Sequence, residues 1–458
     1  MTPHAPFSLA HSSRHPSAVR RVPWAAWAVA CGLVLSTSGV QAQSLVTLFE
    51  SAKDFDATYQ AARASHDAAQ AKADQARAGL LPSVGLSAGA SRSNVDYASA
   101  VPPDRSFNSQ NATVAASQPL YRPANRLGFE QGQKSLLVAK AQLQAAQQDL
   151  IIRTTQAYFD VLAAEDTVRF VDAQKAAVAE QLAAAKRNFE VGTSTVTDSR
   201  EAQARFDLVL AQEIAAANDL RVKKLALDTL VGTANTAPQP LALPVDLPTP
   251  QPDDVQHWVN LAETTHPSVQ QASTALEVAQ LETRKAEAGH GPTLDLTAQY
   301  QMARSPSATT GNILRSNTAT VGVQFNMPLF AGYAIQNRVK ETLALEEKAR
   351  ADLDAARRSV AQATRAAFFG VQSGKGQVRA LEAAEASSQS ALDANKLGYQ
   401  VGVRINIDVL NAQSQLFQTK RDLAKARYDV LVGGLRLKQA SGGLSPEDLT
   451  SVNALIKP

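Results

Sequence analysis

Residues 124–188 read ANRLGFEQGQKSLLVAKAQLQAAQQDLIIRTTQAYFDVLAAEDTVRFVDAQKAAVAEQLAAAKRN. These 65 residues contain no proline, and Leu136, Leu143, Leu150 and Ala157 recur at every seventh position. Seven-residue recurrence of apolar side chains is the seam spacing of a coiled coil. At 1.5 Å per residue such a helix is about 98 Å long. Tyr333 to Leu397 has the same reach and keeps part of the seam with Leu353, Val360 and Ala367. A compact globule has no room for helices of this length, so the sequence predicts an elongated object.

The second long run belongs to a duplication. Leu81-Pro82 answers Gly291-Pro292, and Pro119-Leu120-Tyr121 answers Pro328-Leu329-Phe330. Tyr158-Phe159 answers Phe368-Phe369, Val191-Gly192 answers Val401-Gly402, and Asp198 with Ala202-Gln203 answers Asp408 with Ala412-Gln413. The offset is 209 or 210 residues at every match. The copies meet near Thr233–Asp254, where six prolines fall between Pro238 and Pro252. Such a stretch is extended and cannot join a helix. The reading is a first repeat over 43–240, a proline-rich linker over 241–254, a second repeat over 255–441 and a tail over 442–458. Each repeat is expected to run helix, two strands, long helix, tight break, second long helix.

The strands show period two. Thr293–Arg304 places Leu294, Leu296, Ala298, Tyr300 and Met302 on one face, against Thr293, Asp295, Thr297, Gln299 and Gln301. Ser83–Asn94 keeps that parity with Val84, Leu86, Ala88 and Ala90. Asn317–Met327 alternates too, and Asn108–Ser117 does so faintly. The two hairpins, 83–118 and 293–328, enclose polar loops at Val95–Arg105 and Ser305–Ser316. Strands of about 10 to 12 residues cross a bilayer when tilted. Four strands cannot close a barrel, and an open edge in lipid leaves backbone groups unsatisfied at several kcal/mol each. Other copies of the chain must complete the sheet. Two, three or four copies would give 8, 12 or 16 strands, and arithmetic alone does not choose.

The first 42 residues read as a secretory signal peptide. Basic residues end at Arg20 and Arg21, a twelve-residue apolar run spans Trp24 to Leu35, and Val40-Gln41-Ala42 resembles a cleavage site. The run is too short for a membrane-spanning helix. Lipidation at Cys31 is a poor match, because Ala28-Val29-Ala30 precedes it and the apolar run continues past it. Of 45 bases and 42 acids, the three excess bases (Arg14, Arg20, Arg21) lie in this leader. The remainder is neutral, without the excess cation that nucleic-acid binding needs. Cys31 is the one cysteine, so the mature chain has no disulfide, thiolate metal site or cysteine nucleophile.

Two enzyme motifs appear out of context. Gly85-Leu86-Ser87-Ala88-Gly89 matches a hydrolase elbow, but that motif needs a sharp strand-to-helix turn. Gly370 to Gly376 resembles a phosphate loop with one residue too few and Gly376 in place of Ser or Thr. No two of the four mature histidines stand at i,i+4, so no zinc-protease motif exists. The reading is therefore of a protein with neither catalytic site nor cofactor.

These features together resemble the TolC family of outer membrane efflux channels. The resemblance covers Leu45 to about Ile456 and rests on the Pro-Leu-Tyr and Pro-Leu-Phe junctions, the repeated Val-Gly, Asp and Ala-Gln positions, and the tail Gly442 to Leu449. It implies an α+β fold: a homotrimer with a twelve-stranded β-barrel in outer membrane lipid and a helical tunnel through the periplasm. It also implies a passive duct for a tripartite efflux pump or type I secretion system, working with a periplasmic adaptor and an inner membrane transporter. On this resemblance Val191, Gly192 and Thr193, with Val401, Gly402 and Val403, are adaptor-docking tips. Arg404 and Tyr399 would bond Thr197-Asp198 on the neighbouring hairpin as a gate latch. The residues alone also allow Arg404 to pair with Asp408 on its own helix, at i,i+4. Asp408 and Asn411 would line the pore at its narrowest point, although the family's secretion members often carry a second aspartate where Asn411 stands. Asp408 also fits a plain solvated acid near a helix start. The competing reading of the whole chain is a periplasmic adaptor or another coiled-coil scaffold, which shares the helical hairpins and export signal but lacks the four strands.

Overall fold

In a computed structural model, residues 43–96, 105–242, 244, 247–306 and 312–456 are described. The expected signal peptide with Cys31, and the centres of both strand-hairpin loops, lie outside these residues. Two short helices, α1 (Leu45–Phe55) and α2 (Ala57–Arg77), lead to β1 (Ser83–Val95) and β2 (Arg105–Tyr121). Then come α3 (Pro123–Glu190) and α4 (Val196–Val231). The second copy repeats the order with α5 (Val255–Thr265), α6 (Pro267–Glu287), β3 (Thr293–Pro306), β4 (Ile313–Asn326), α7 (Ala334–Gln400) and α8 (Asn406–Ala440). A last helix, α9 (Glu447–Asn453), closes the chain.

Three boundaries differ from expectation. The single helix before each hairpin is two helices. Asp56 caps α2 by accepting from the Tyr59 amide, and His266 caps α6 ahead of Pro267 at its first position. A side-chain cap and an N1 proline each start a new helix rather than continue an old one. β2 runs on to Tyr121 through a register shift between Pro119 and Tyr121, whereas Pro328-Leu329-Phe330 lies beyond β4. β4 begins at Ile313 rather than Asn317, paired with Pro306 from its first residue, and ends at Asn326.

The 68 residues of α3 and 67 of α7 extend about 100 Å each. Toward its N-terminal half α3 packs on α2 and α6, where Lys134 pairs with Glu277 at 2.6 Å. Toward its C-terminal half it packs on α4, where Lys175 meets Glu213 at 2.6 Å. The largest buried cluster lies between these levels: Leu45, Leu48 and Phe49 of α1, Leu150, Tyr158 and Phe159 of α3, and Leu431 and Leu435 of α8. Tail residues Leu444, Leu449, Val452 and Ile456 join it. Tyr158 is buried and donates its hydroxyl to the Gln239 carbonyl at 2.8 Å, fastening the proline-rich segment to α3. Leu241 bridges Ile456, so linker and tail wrap the same level. Arg153 grips Asp56 with two bonds of 2.9 and 3.0 Å, and the guanidinium holds this carboxyl below its ordinary pKa.

The four strands form one antiparallel meander, β1-β2-β3-β4. Residues at one level stand in strict register: Leu86, Val114, Tyr300 and Ala319 form one layer, and Ala88, Ala112, Met302 and Asn317 the next. One face is thus apolar, while Ser87, Thr113, Gln301 and Thr318 share a level of the other. The apolar face is bare: Leu86 is 76 % exposed and Val321 75 %. β1 and β4 have no further strand beside them among the described residues. Arg122, the residue before α3, locks the helix start to the sheet by donating to both oxygens of Asp295 at 2.7 and 2.6 Å.

Candidate functional site at the hairpin tips

The two long hairpins reverse in the same way. After α3, Val191 ends the helix, Gly192 takes φ +76°, and the Thr193 amide donates to the Asn188 carbonyl at 2.8 Å. After α7, Val401 and Gly402 repeat this with φ +78°, and the Val403 amide donates to the Gly398 carbonyl at 2.9 Å. A side chain at either glycine would sit in the left-handed region, which explains the Val-Gly pair at both turns. The tips project bare valines: Val191 is 73 % exposed and Val403 78 %.

The copies diverge at the next residues. Thr195 caps α4 in a reciprocal box with Asp198, whose carboxylate accepts from the Ser194 hydroxyl at 2.7 Å and the Thr195 hydroxyl at 2.8 Å. The Ser194 bond is the main cause that holds the Asp198 carboxyl below its ordinary value. In the second copy the capping position is Ile405, which has no oxygen to offer. Asp408 is consequently free of a box and meets Arg404 at 3.7 Å. Tyr399 reaches the other hairpin, where its hydroxyl accepts from the Asn188 amide at 3.1 Å.

Within one chain, then, Arg404 stands beside Asp408, Tyr399 beside Asn188, and Asp198 inside its own cap. Arg404 and Tyr399 are not joined to Thr197-Asp198 in this chain. Asn411 is exposed, and its side-chain oxygen accepts from Arg205 of α4 at 2.6 Å. Arg205 is a member of this group that sequence reading missed. It lies 206 residues from Asn411, and only the packing of α4 near α8 brings them together.

The two enzyme-like motifs fall inside regular elements, without the turns those motifs need. Ser87 lies inside β1 with Gly85 to Gly89 paired residue for residue to β2. Gly370 to Gly376 lies inside α7.

Known proteins share the duplication and the fold. Residues 48–233 and 258–443 each match the outer membrane efflux protein family, one match per copy. The chain is 33 % identical to outer membrane protein TolC of Vibrio cholerae over 94 % of its own length and 97 % of that protein's. It is 34 % identical to TolC of Escherichia coli over 93 % and 88 %, and 30 % identical to the proteases secretion protein PrtF of Dickeya chrysanthemi over 93 % and 94 %. Its fold superposes on VceC of Vibrio cholerae with a TM-score of 0.75 at 22 % identity, covering 87 % and 96 % of the two chains. The Campylobacter jejuni CmeC channel gives 0.76 at 17 % identity, covering 96 % and 98 %. With two matching copies, a shared fold and full-length relatives, the chain belongs to the outer membrane efflux protein family, as an outer membrane channel protein whose helical tunnel reaches into the periplasm.

Proposed function

We propose that three copies of the chain close one twelve-stranded barrel and one helical tunnel, and that this assembly is the passive exit duct of a tripartite efflux pump or type I secretion system. The observation that carries the reading is the meander itself: four bilayer-length strands with an apolar face and two free edges, β1 and β4. In lipid every strand edge needs a partner, and a sister copy supplies the same edge geometry at each joint. Relatives named for protease secretion sit at 30 % identity.

The tips complete the reading. Val191, Gly192 and Thr193, with Val401, Gly402 and Val403, offer an apolar surface to a periplasmic adaptor, and an inner membrane transporter supplies energy. Arg404 and Tyr399 latch the inner hairpin to Thr197-Asp198 of a neighbouring hairpin, exchanging the Arg404–Asp408 contact for one between copies. Asp408 and Asn411 ring the closed end. The duct performs no chemistry of its own. Extraction tests the whole: the protein should leave the outer membrane only with detergent and run as a heat-labile trimer on gels. A soluble monomer overturns the reading and favours a periplasmic scaffold.

A further inference from the structure

The four strands contain a single carboxylate, Asp295, at the helical end of the sheet. Toward the hairpin-loop end of the apolar face stand Arg92 of β1, Arg304 of β3 and Arg315 of β4, all exposed. Arg304 and Arg315 are direct cross-strand partners, in one layer with Gln110 and Ala90. Arg92 lies one layer nearer the loops, opposite Asn108. Like charges placed directly opposite weaken a strand pair. An anion between them reverses that sign, and two guanidinium forks match the oxygens of a phosphate.

Height says where the pair sits. Leu294 to Arg304 is ten residues, about 33 Å along the strand and about 25 Å along the barrel axis at ordinary tilt. That equals the usual apolar band. Both guanidinium groups therefore stand where hydrocarbon gives way to headgroups at the outer surface. The layers beneath them hold Met302, Tyr300 and Val321, a surface for acyl chains. A ligand fitting both parts is an amphiphile with phosphate above and hydrocarbon below.

We propose that Arg304 and Arg315 bind the phosphate of a phosphorylated glycolipid in the external leaflet of the outer membrane, Arg92 standing two strands from Arg304. The site rests on the reading of the sheet as part of a closed transmembrane wall, and it repeats once per copy. The full chain, purified in detergent, is mixed with a bis-phosphorylated glycolipid, the same glycolipid after enzymatic dephosphorylation, or inorganic phosphate, and bound molecules are counted by native mass spectrometry. The phosphorylated glycolipid should bind most tightly. Arg304→Gln with Arg315→Gln should lower its affinity roughly thirtyfold, and Arg304→Lys with Arg315→Lys should restore part of the loss. Equal affinity for both glycolipids, unchanged affinity in the glutamine variant, or inorganic phosphate binding as tightly as the glycolipid overturns the site. Assembly is scored on the same sample: a heat-labile trimer that ignores the phosphate removes the lipid site alone, and a soluble monomer removes the transmembrane reading with it.

Discussion

In the proposed assembly, Arg205, Arg404 and Asp408 together set the charge of the closed end. Asp408 brings one negative charge per copy, Arg404 stands 3.7 Å from it, and Arg205 holds the neutral Asn411. A ring of carboxylates favours cations in a pore, and neighbouring guanidinium groups oppose it. Asp408→Ala should weaken block by polyvalent cations added from the periplasmic side in planar bilayers, and Arg205→Gln should strengthen it. Block of unchanged affinity in both would remove these residues from the pore. Arg404→Ser or Tyr399→Phe should each raise single-channel conductance, because a charge-assisted bond of about 1.5–3 kcal/mol, repeated around the axis, is lost from the latch. Unchanged conductance in both would end the latch proposal. Asp56 carries a pH prediction. Its folded pKa lies below the ordinary 3.8 because Arg153 holds it. Its stabilisation is therefore complete above the unfolded value and is lost as pH falls through the folded value. Asp56→Asn should flatten the acid limb of thermal stability below about pH 4, while an unaltered limb would assign it to other carboxylates.

Helix starts behave as separable units. Thr195→Ala removes the capping box of α4 and should cost that terminus about 1 kcal/mol, read as roughly fivefold faster amide exchange in its first turn. The same measurement on α8 should show no response to Ile405→Ala, since Ile405 caps nothing with its side chain. Equal responses at both starts would contradict the asymmetry. The long elements were readable because their signal repeats: the Leu136 to Ala157 seam marks α3, and the Thr293–Arg304 alternation marks β3. The breaks at Asp56 and His266 were not, because one polar residue inside an alanine-rich run has a cap's meaning only once the chain turns there. β2 was faint because its loop end, Ser106 to Gln110, is polar on both faces apart from Phe107, and a strand rising past hydrocarbon has no need to alternate. The Val-Gly tips were legible from glycine's conformational freedom. The contacts of Arg205 with Asn411 and of Tyr399 with Asn188 were not, because only tertiary packing places residues more than 200 positions apart within 3.1 Å.

At the scale of the whole molecule, one meander, two helices of about 100 Å and a belt fastened by linker and tail fit the proposed assembly, in which each chain is a fraction of a larger wall. The belt fixes where α1, α3, α8 and α9 meet, and the Arg122–Asp295 pair couples that helical part to the sheet. Both serve a tube that must stay aligned across two compartments. Electron cryo-microscopy of the protein in lipid nanodiscs tests this most directly. The account predicts twelve strands around one threefold axis, with β1 of each copy hydrogen-bonded to β4 of the next. A lone chain whose four strands fold upon themselves outside the bilayer, or a ring of any other copy number, would contradict it.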